Sequence, residues 1–207
     1  PTGGVLNPIQ RISLDMTVIS DSGRWYYAWQ QVGSIWIASF DPARPERLTC
    51  EPKQVVVPEL AWDNMIAEGP NAIVHDGTIY LIYSGSLVGI DYTTGLVTAP
   101  AGQDADLTDP NVWTKLDYPL QKSGVYNGQW QLGTGHGMWS NDEDGNLIYV
   151  FHNAEYENGR YGGRDAQVRR VHWSKEGMPI LDMQAAEELN PDYADITMKI
   201  VVSGNKG

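Results

Sequence analysis

The sequence has one cysteine, Cys50, only two phenylalanines and almost no stretch that reads as a helix. A lone cysteine excludes an intrachain disulfide and a cysteine-based metal site. Positive charge is also scarce, with 14 Lys and Arg against 26 Asp and Glu, a net charge of −12. Such a field repels phosphate backbones, so nucleic acid is not expected as a partner. No apolar run approaches the roughly 18 residues that span a bilayer, so no membrane partner is expected either. The first residues, Pro1-Thr2-Gly3-Gly4, are neither an initiator Met nor a signal peptide. An upstream segment is therefore expected.

What the chain does have is Trp and Tyr, 8 and 11 of them. Flat rings with a polar edge suit a wet cleft and stack on sugar faces, although ordinary sheet proteins use them too. The length of 207 residues is enough for one domain with a real core, taken here as residues 1–207. The only helical signal is a short one near Met183 to Leu189, stopped before Pro191. Elsewhere short apolar and aromatic runs alternate with Gly, Asp, Asn and Pro, which predicts an all-β domain.

The stretch from Trp62 to Tyr83 organises the rest. Asn71-Ala72-Ile73-Val74, the turn Asp76-Gly77 and Ile79-Tyr80-Leu81-Ile82-Tyr83 read as a β-hairpin. Pro70 has no N–H for a ladder and is expected at the mouth of the first strand. Glu68 then sits at the sheet rim beside Trp62 and Met65. It is either a partly desolvated general acid or a solvated loop carboxylate.

The same pattern recurs. Asp21-Ser22-Gly23 precedes Trp25 to Trp29, and Glu143-Asp144-Gly145 precedes Leu147 to His152. The intervals from Gly23 to Gly77 and from Gly77 to Gly145 are 54 and 68 residues. Spacings of this size suit a β-propeller, whose blades take about 40–50 residues before insertions, with a β-sandwich as the alternative. Each repeat follows a strand with a distinctive residue: Asp15, Glu68 and His136. Equivalent blades would bring all three to the starts of inner strands, converging on one axis.

Other features leave alternatives open. Asp104, Asp106 and Asp109 match no calcium spacing and read as solvated loop acids. Residues 159–165, with Arg160 and Arg164, read as a mobile loop whose arginine either clamps a ligand hydroxyl or pairs with a surface acid. Trp113-Thr114-Lys115 reads as an outer strand. The run Ile196 to Val202 reads as a terminal strand able to close a ring.

Taken together, Leu14-Asp15-Met16-Thr17, Tyr27-Ala28-Trp29-Gln30, Glu68-Gly69-Pro70, Tyr80 to Ser84, Gly133 to Gly137 and Val171-His172-Trp173 resemble glycoside hydrolase family 43. The resemblance covers nearly the whole chain and looks closest to the exo-acting α-L-arabinofuranosidase branch. It implies a five-bladed propeller of inverting enzymes, about four blades of which fit in this length. It further implies removal of α-L-arabinofuranosyl or β-xylosyl residues from plant cell-wall arabinan or arabinoxylan, by a secreted protein. Glu68 corresponds to the general acid and Asp15 to the aspartate that tunes it. His136 corresponds to the axial histidine, near which some members hold a cation. No cofactor is required, and a calcium or sodium ion on the axis is left open. Trp62, Arg164 and His136 are the candidate substrate-binding residues. The family's general base precedes the Leu-Asp-Met-Thr motif, where Pro1 to Arg11 contain no acid. The expectation is that a complementary N-terminal fragment or chain carries that base. The alternative is a non-catalytic carbohydrate-binding propeller.

Overall fold

A computed structural model describes residues 13–183 together with Lys199 and Val201. The described residues form a succession of antiparallel sheets, each a meander in chain order. The first contains β1 (Leu14–Asp21), β2 (Arg24–Gln31), β3 (Ser34–Phe40) and β4 (Lys53–Val56). The second contains β5 (Ala67–His75), β6 (Thr78–Gly85), β7 (Thr93–Pro100) and β8 (Thr114–Lys115). The third orders β9 (Gly124–Tyr126), β10 (Gln129–Asn141), β11 (Leu147–Glu157) and β12 (Arg160–Arg170) as β12-β11-β10-β9. Val171 alone separates β12 from β13 (His172–Trp173), which pairs with β14 (Pro179–Ile180).

These are blades of a propeller. β5 lies between β1 and β10, so the inner strands of three successive sheets stand side by side. About four blades were expected from length, and the described residues form three four-stranded sheets and a fourth of two strands, β13 and β14. The predicted helix from Met183 and the strand from Ile196 lie outside the described residues, apart from Met183, Lys199 and Val201.

The repeat of turn and aromatic strand becomes a repeat of hairpins. Asp76 and Gly77 both adopt positive φ, 44° and 74°, as a two-residue turn matched to strand twist demands. Residues 159–165, read from the sequence as a mobile loop, instead belong to the β11–β12 hairpin. The turn is Asn158-Gly159, with φ of 51° and 74°, and Gly162-Gly163 lie inside β12 beside a bulge. Glycines mark bulges as well as loops.

Packing follows the two-residue period of β6. Ile79, Leu81 and Tyr83 join Ile19, Tyr26, Ile35 and Ile37 of the first sheet in one core. Tyr80 and Ile82 face the other way, onto Trp139, Tyr149 and Phe151 of the third. A strand buried on both faces reads as a continuous apolar run, as this one does.

Candidate active site

Each inner strand breaks its ladder, β1 and β5 once and β10 twice, first between Leu132 and Gly135. Register shifts fall between Leu14 and Thr17, between Glu68 and Asn71, and between Gly135 and Met138. The residue entering each bulge has positive φ: Asp15 at 55°, Gly69 at 59° and His136 at 49°. By this register Gly69, rather than Glu68, is the equivalent of Asp15 and His136. Glu68 is the last paired residue before its bulge, opposite Ser84, as Gly135 stands opposite His152. Pro70, expected at the strand mouth, lies within the bulge, where the ladder asks no N–H of it.

A bulge leaves backbone donors outside the ladder, and these need partners. The preceding blade supplies them. Asp15 Oδ2 accepts from the Gly69 N–H at 3.1 Å, and Ser84 Oγ accepts from the His136 N–H at 2.6 Å. Asn71 ties all three inner strands. Its Oδ1 accepts from the Trp139 N–H at 2.9 Å, and its Nδ2 donates to Thr17 Oγ1 at 3.4 Å.

The bulges gather Asp15, Glu68 and His136. Asp15 Oδ1 lies 3.7 Å from His136 Nε2. Tyr92, in the connection between β6 and β7, donates from its hydroxyl to Glu68 Oε1 at 2.5 Å. The same oxygen is 3.1 Å from His136 Nδ1. Burial, then the hydrogen bond to Glu68, raises the Tyr92 hydroxyl far above the usual phenol range. His152 stacks on Tyr92 with centroids 5.4 Å apart. Desolvation first, then the charge of Arg164, pulls His152 down to about 4, so its ring is neutral at neutral pH.

A cleft of about 680 Å³ adjoins this group, lined among others by Asp15, Gly69, His136, His152 and Arg164. Arg164 thus joins the cluster from β12. Trp62 does not. Its indole donates to Asp117 O at 2.9 Å and its ring packs on Tyr83, 6.1 Å between centroids, outside the central cleft. Asp63, fully buried, accepts from the Glu59 and Leu60 N–H groups and anchors the turn that leads into Trp62.

Tyr92, His152, Ser84 and Asn71 were not singled out from the sequence. His152 carried the one usable signal, a histidine closing an aromatic strand run. Tyr92 lies in a connection without periodicity.

Both ring nitrogens of His136 already face protein groups, Tyr92 and Asp15. Among the described residues no group of three or more His, Cys, Asp or Glu could hold a metal ion. The arrangement therefore does not fit a cation held directly by His136. The loop acids Asp106 and Asp109 accept from the Thr108 and Asn111 N–H groups, closing their own turns.

The profile of Glycosyl hydrolases family 43 matches residues 3–179. An extracellular exo-α-(1→5)-L-arabinofuranosidase of Streptomyces avermitilis is 30% identical over 207 residues, 91% of this chain and 41% of that protein. Alpha-L-arabinofuranosidase 43 of Humicola insolens is 32% identical over 184 residues, covering 81% and 37% respectively. Among solved structures, the α-L-arabinofuranosidase of Lactobacillus brevis superposes with a TM-score of 0.75 at 29% identity, over 84% of this chain and 56% of that one. The chain spans less than half the length of these two curated relatives. In each, the matched segment is part of a longer polypeptide, which lends no support to a separate complementary chain.

Proposed function

The chain belongs to glycosyl hydrolases family 43, and from that membership we propose that it contributes the acid side of an inverting, secreted α-L-arabinofuranosidase. The substrate class is arabinofuranosyl (or β-xylosyl) side groups of neutral plant cell-wall polysaccharides. The observation carrying this reading is Glu68, placed at the bulge of an inner strand with Tyr92 on one oxygen and Asp15 bonded to the next backbone amide.

In the reaction, Glu68 gives its proton to the glycosidic oxygen as the bond from C1 to that oxygen breaks, and the electron pair leaves with the alcohol. Water adds to C1 from the opposite face and yields its proton to a second carboxylate about 6.5–9.5 Å from the acid. Asp15 is committed to the Gly69 N–H and faces His136, so it orients the acid rather than acting as that base. The base is sought outside the described residues. Arg164 lines the cleft, which supports reading it as the group that holds a sugar hydroxyl.

A second reading, sugar binding without hydrolysis, is favoured by the lack of a carboxyl other than Glu68 and Asp15 in the described cluster. One experiment separates the two. The full-length protein is assayed on arabinofuranosides whose leaving groups range from dinitrophenol to simple alcohols, with the product anomer followed by NMR. Glu68→Gln should slow the alkyl substrates by about 10²–10⁴-fold and spare the dinitrophenyl substrate, which needs no proton. Uniform inertness of the wild type with retained sugar binding would leave only the second reading.

A further inference from the structure

We propose that Tyr92 is the positioning residue of the acid, fixing which oxygen of Glu68 carries the transferable proton. The inference rests on the reading of Glu68 as general acid and deepens it.

The geometry restricts the hydroxyl closely. Tyr92 has one proton and three polar neighbours: Glu68 Oε1, His136 Nδ1 and the Ser84 hydroxyl. With its proton directed to Oε1, its oxygen accepts from His136 Nδ1–H and from Ser84. The donor and both acceptor positions of the hydroxyl are then used, as a buried polar group requires. Burial keeps the phenol protonated across any working pH. It is therefore a permanent donor, and Oε1 is permanently an acceptor. The acid proton is confined to Oε2.

The ring itself is locked in place. A Cβ at Gly135 would come within 2.6 Å of the Tyr92 ring, so the third blade presents bare backbone there. His152 stacks against the same ring. The Tyr92 N–H also bonds Gly89 O at 3.2 Å, closing the connection on itself. A hydroxyl held this way costs no reorganisation when the proton leaves Glu68. A donor aimed at a carboxyl strengthens as that group becomes an anion, so it stabilises the transition state more than the ground state.

The test is the leaving-group series, run on the full-length protein with Tyr92→Phe beside Glu68→Gln. Tyr92→Phe keeps the ring against Gly135 and His152 and removes only the donor. The expected result is a loss of roughly 10- to 100-fold in kcat/KM for alkyl leaving groups, the scale of one hydrogen bond to a charged group. The dinitrophenyl substrate should change little, so the dependence of rate on leaving-group pKa becomes steeper. A structural role would instead slow all substrates alike. A uniform loss, or none, in Tyr92→Phe overturns the proposal while a leaving-group-dependent loss in Glu68→Gln leaves the acid assignment standing. If Glu68→Gln shows no such dependence, both fall. Site-specific 3-fluorotyrosine at position 92 keeps the hydroxyl and folds as the wild type would. As a stronger donor it should speed the alkyl substrates alone, and unchanged rates would likewise overturn the proposal.

Discussion

Strand β6 of the middle sheet is buried from Ile79 through Gly85, whereas in β12 of the third sheet only Arg169 is buried. β6 has a hydrogen-bonded strand on each side, whereas β12 is the edge strand of its meander. The difference lies also in what covers them. β6 has a blade packed on each face, so its odd and even residues enter separate cores. In the third sheet the odd residues of β11, Tyr149 and Phe151, meet the middle sheet, while Met138 and Val168 stand exposed on the other face. The candidate site is built across this contrast. Glu68 and Tyr92 come from the two-sided sheet or the loop fixed to it. His136, His152 and Arg164 come from the sheet covered on one face. Rigid placement of Glu68, the proposed acid, and a solvent-facing wall for the proposed substrate are thus supplied by neighbouring blades.

The sharpest way to break this contrast is at Asp63, a fully buried carboxylate beneath the middle sheet. It accepts from Lys115 Nζ at 2.5 Å, from Tyr83 Oη at 3.1 Å, and from the Glu59 and Leu60 N–H groups at 3.0 and 2.7 Å. Removing one member of a buried ion pair strands its partners. Asp63→Ala is expected to lower stability by about 3–5 kcal/mol, read by chemical denaturation. A loss under about 1 kcal/mol would show that the middle sheet does not depend on this hub.

A paired truncation compares the faces directly. Leu81 is fully buried in the core shared with the first sheet, and Leu81→Ala is expected to cost about 2–5 kcal/mol. Val168, 58% exposed, should cost no more than about 0.5 kcal/mol as Val168→Ala. Equal losses would mean that Val168 is covered in the folded protein in solution, and the contrast would have to be redrawn.

Much of this architecture was legible in the sequence. Polar turns ending in Gly before aromatic runs marked the hairpins, and at Ser22-Gly23 and Asp76-Gly77 φ > 0 at both turn positions is a strong local demand. The apolar run of Ile79 to Tyr83 was legible as a strand, while its cover on both faces came only with the structure. The convergence of Asp15 and His136 was legible from repeat register. The exact equivalence was not, since a bulge shifts register by one residue and leaves no mark in composition; hence Glu68 was matched to positions that Gly69 occupies. Gly162-Gly163 read as a loop because glycine punctuates loops and bulges alike. Trp62 read as a site residue from sequence distance alone, but Asp63 and Asp117 turn it elsewhere. Tyr92 was silent because its place is set by Gly135 and His152 of another blade, a contact between chain segments with no shared pattern.

The smallest expected effect concerns His152, from the half-covered sheet. Its Nε2 is buried without a hydrogen-bond partner among the described residues, and its ring titrates near 4 instead of 6.5. Between those values the unfolded chain binds a proton that the folded chain refuses. Stability therefore rises with pH across that window and falls as pH drops from about 6.5 toward 4. Partial exposure of the ring keeps the slope below the 1.36 kcal/mol per unit of a fully responding site. His152→Gln should flatten this part of the stability profile without altering it above pH 7. Arg164→Gln should act in the same direction but more weakly, since desolvation outranks the guanidinium charge as the cause. NMR titration of the His152 ring protons gives the direct check. A midpoint near 6.5 in the wild type would mean that the ring is solvated, and that the third sheet is more open at its base than at its exposed face.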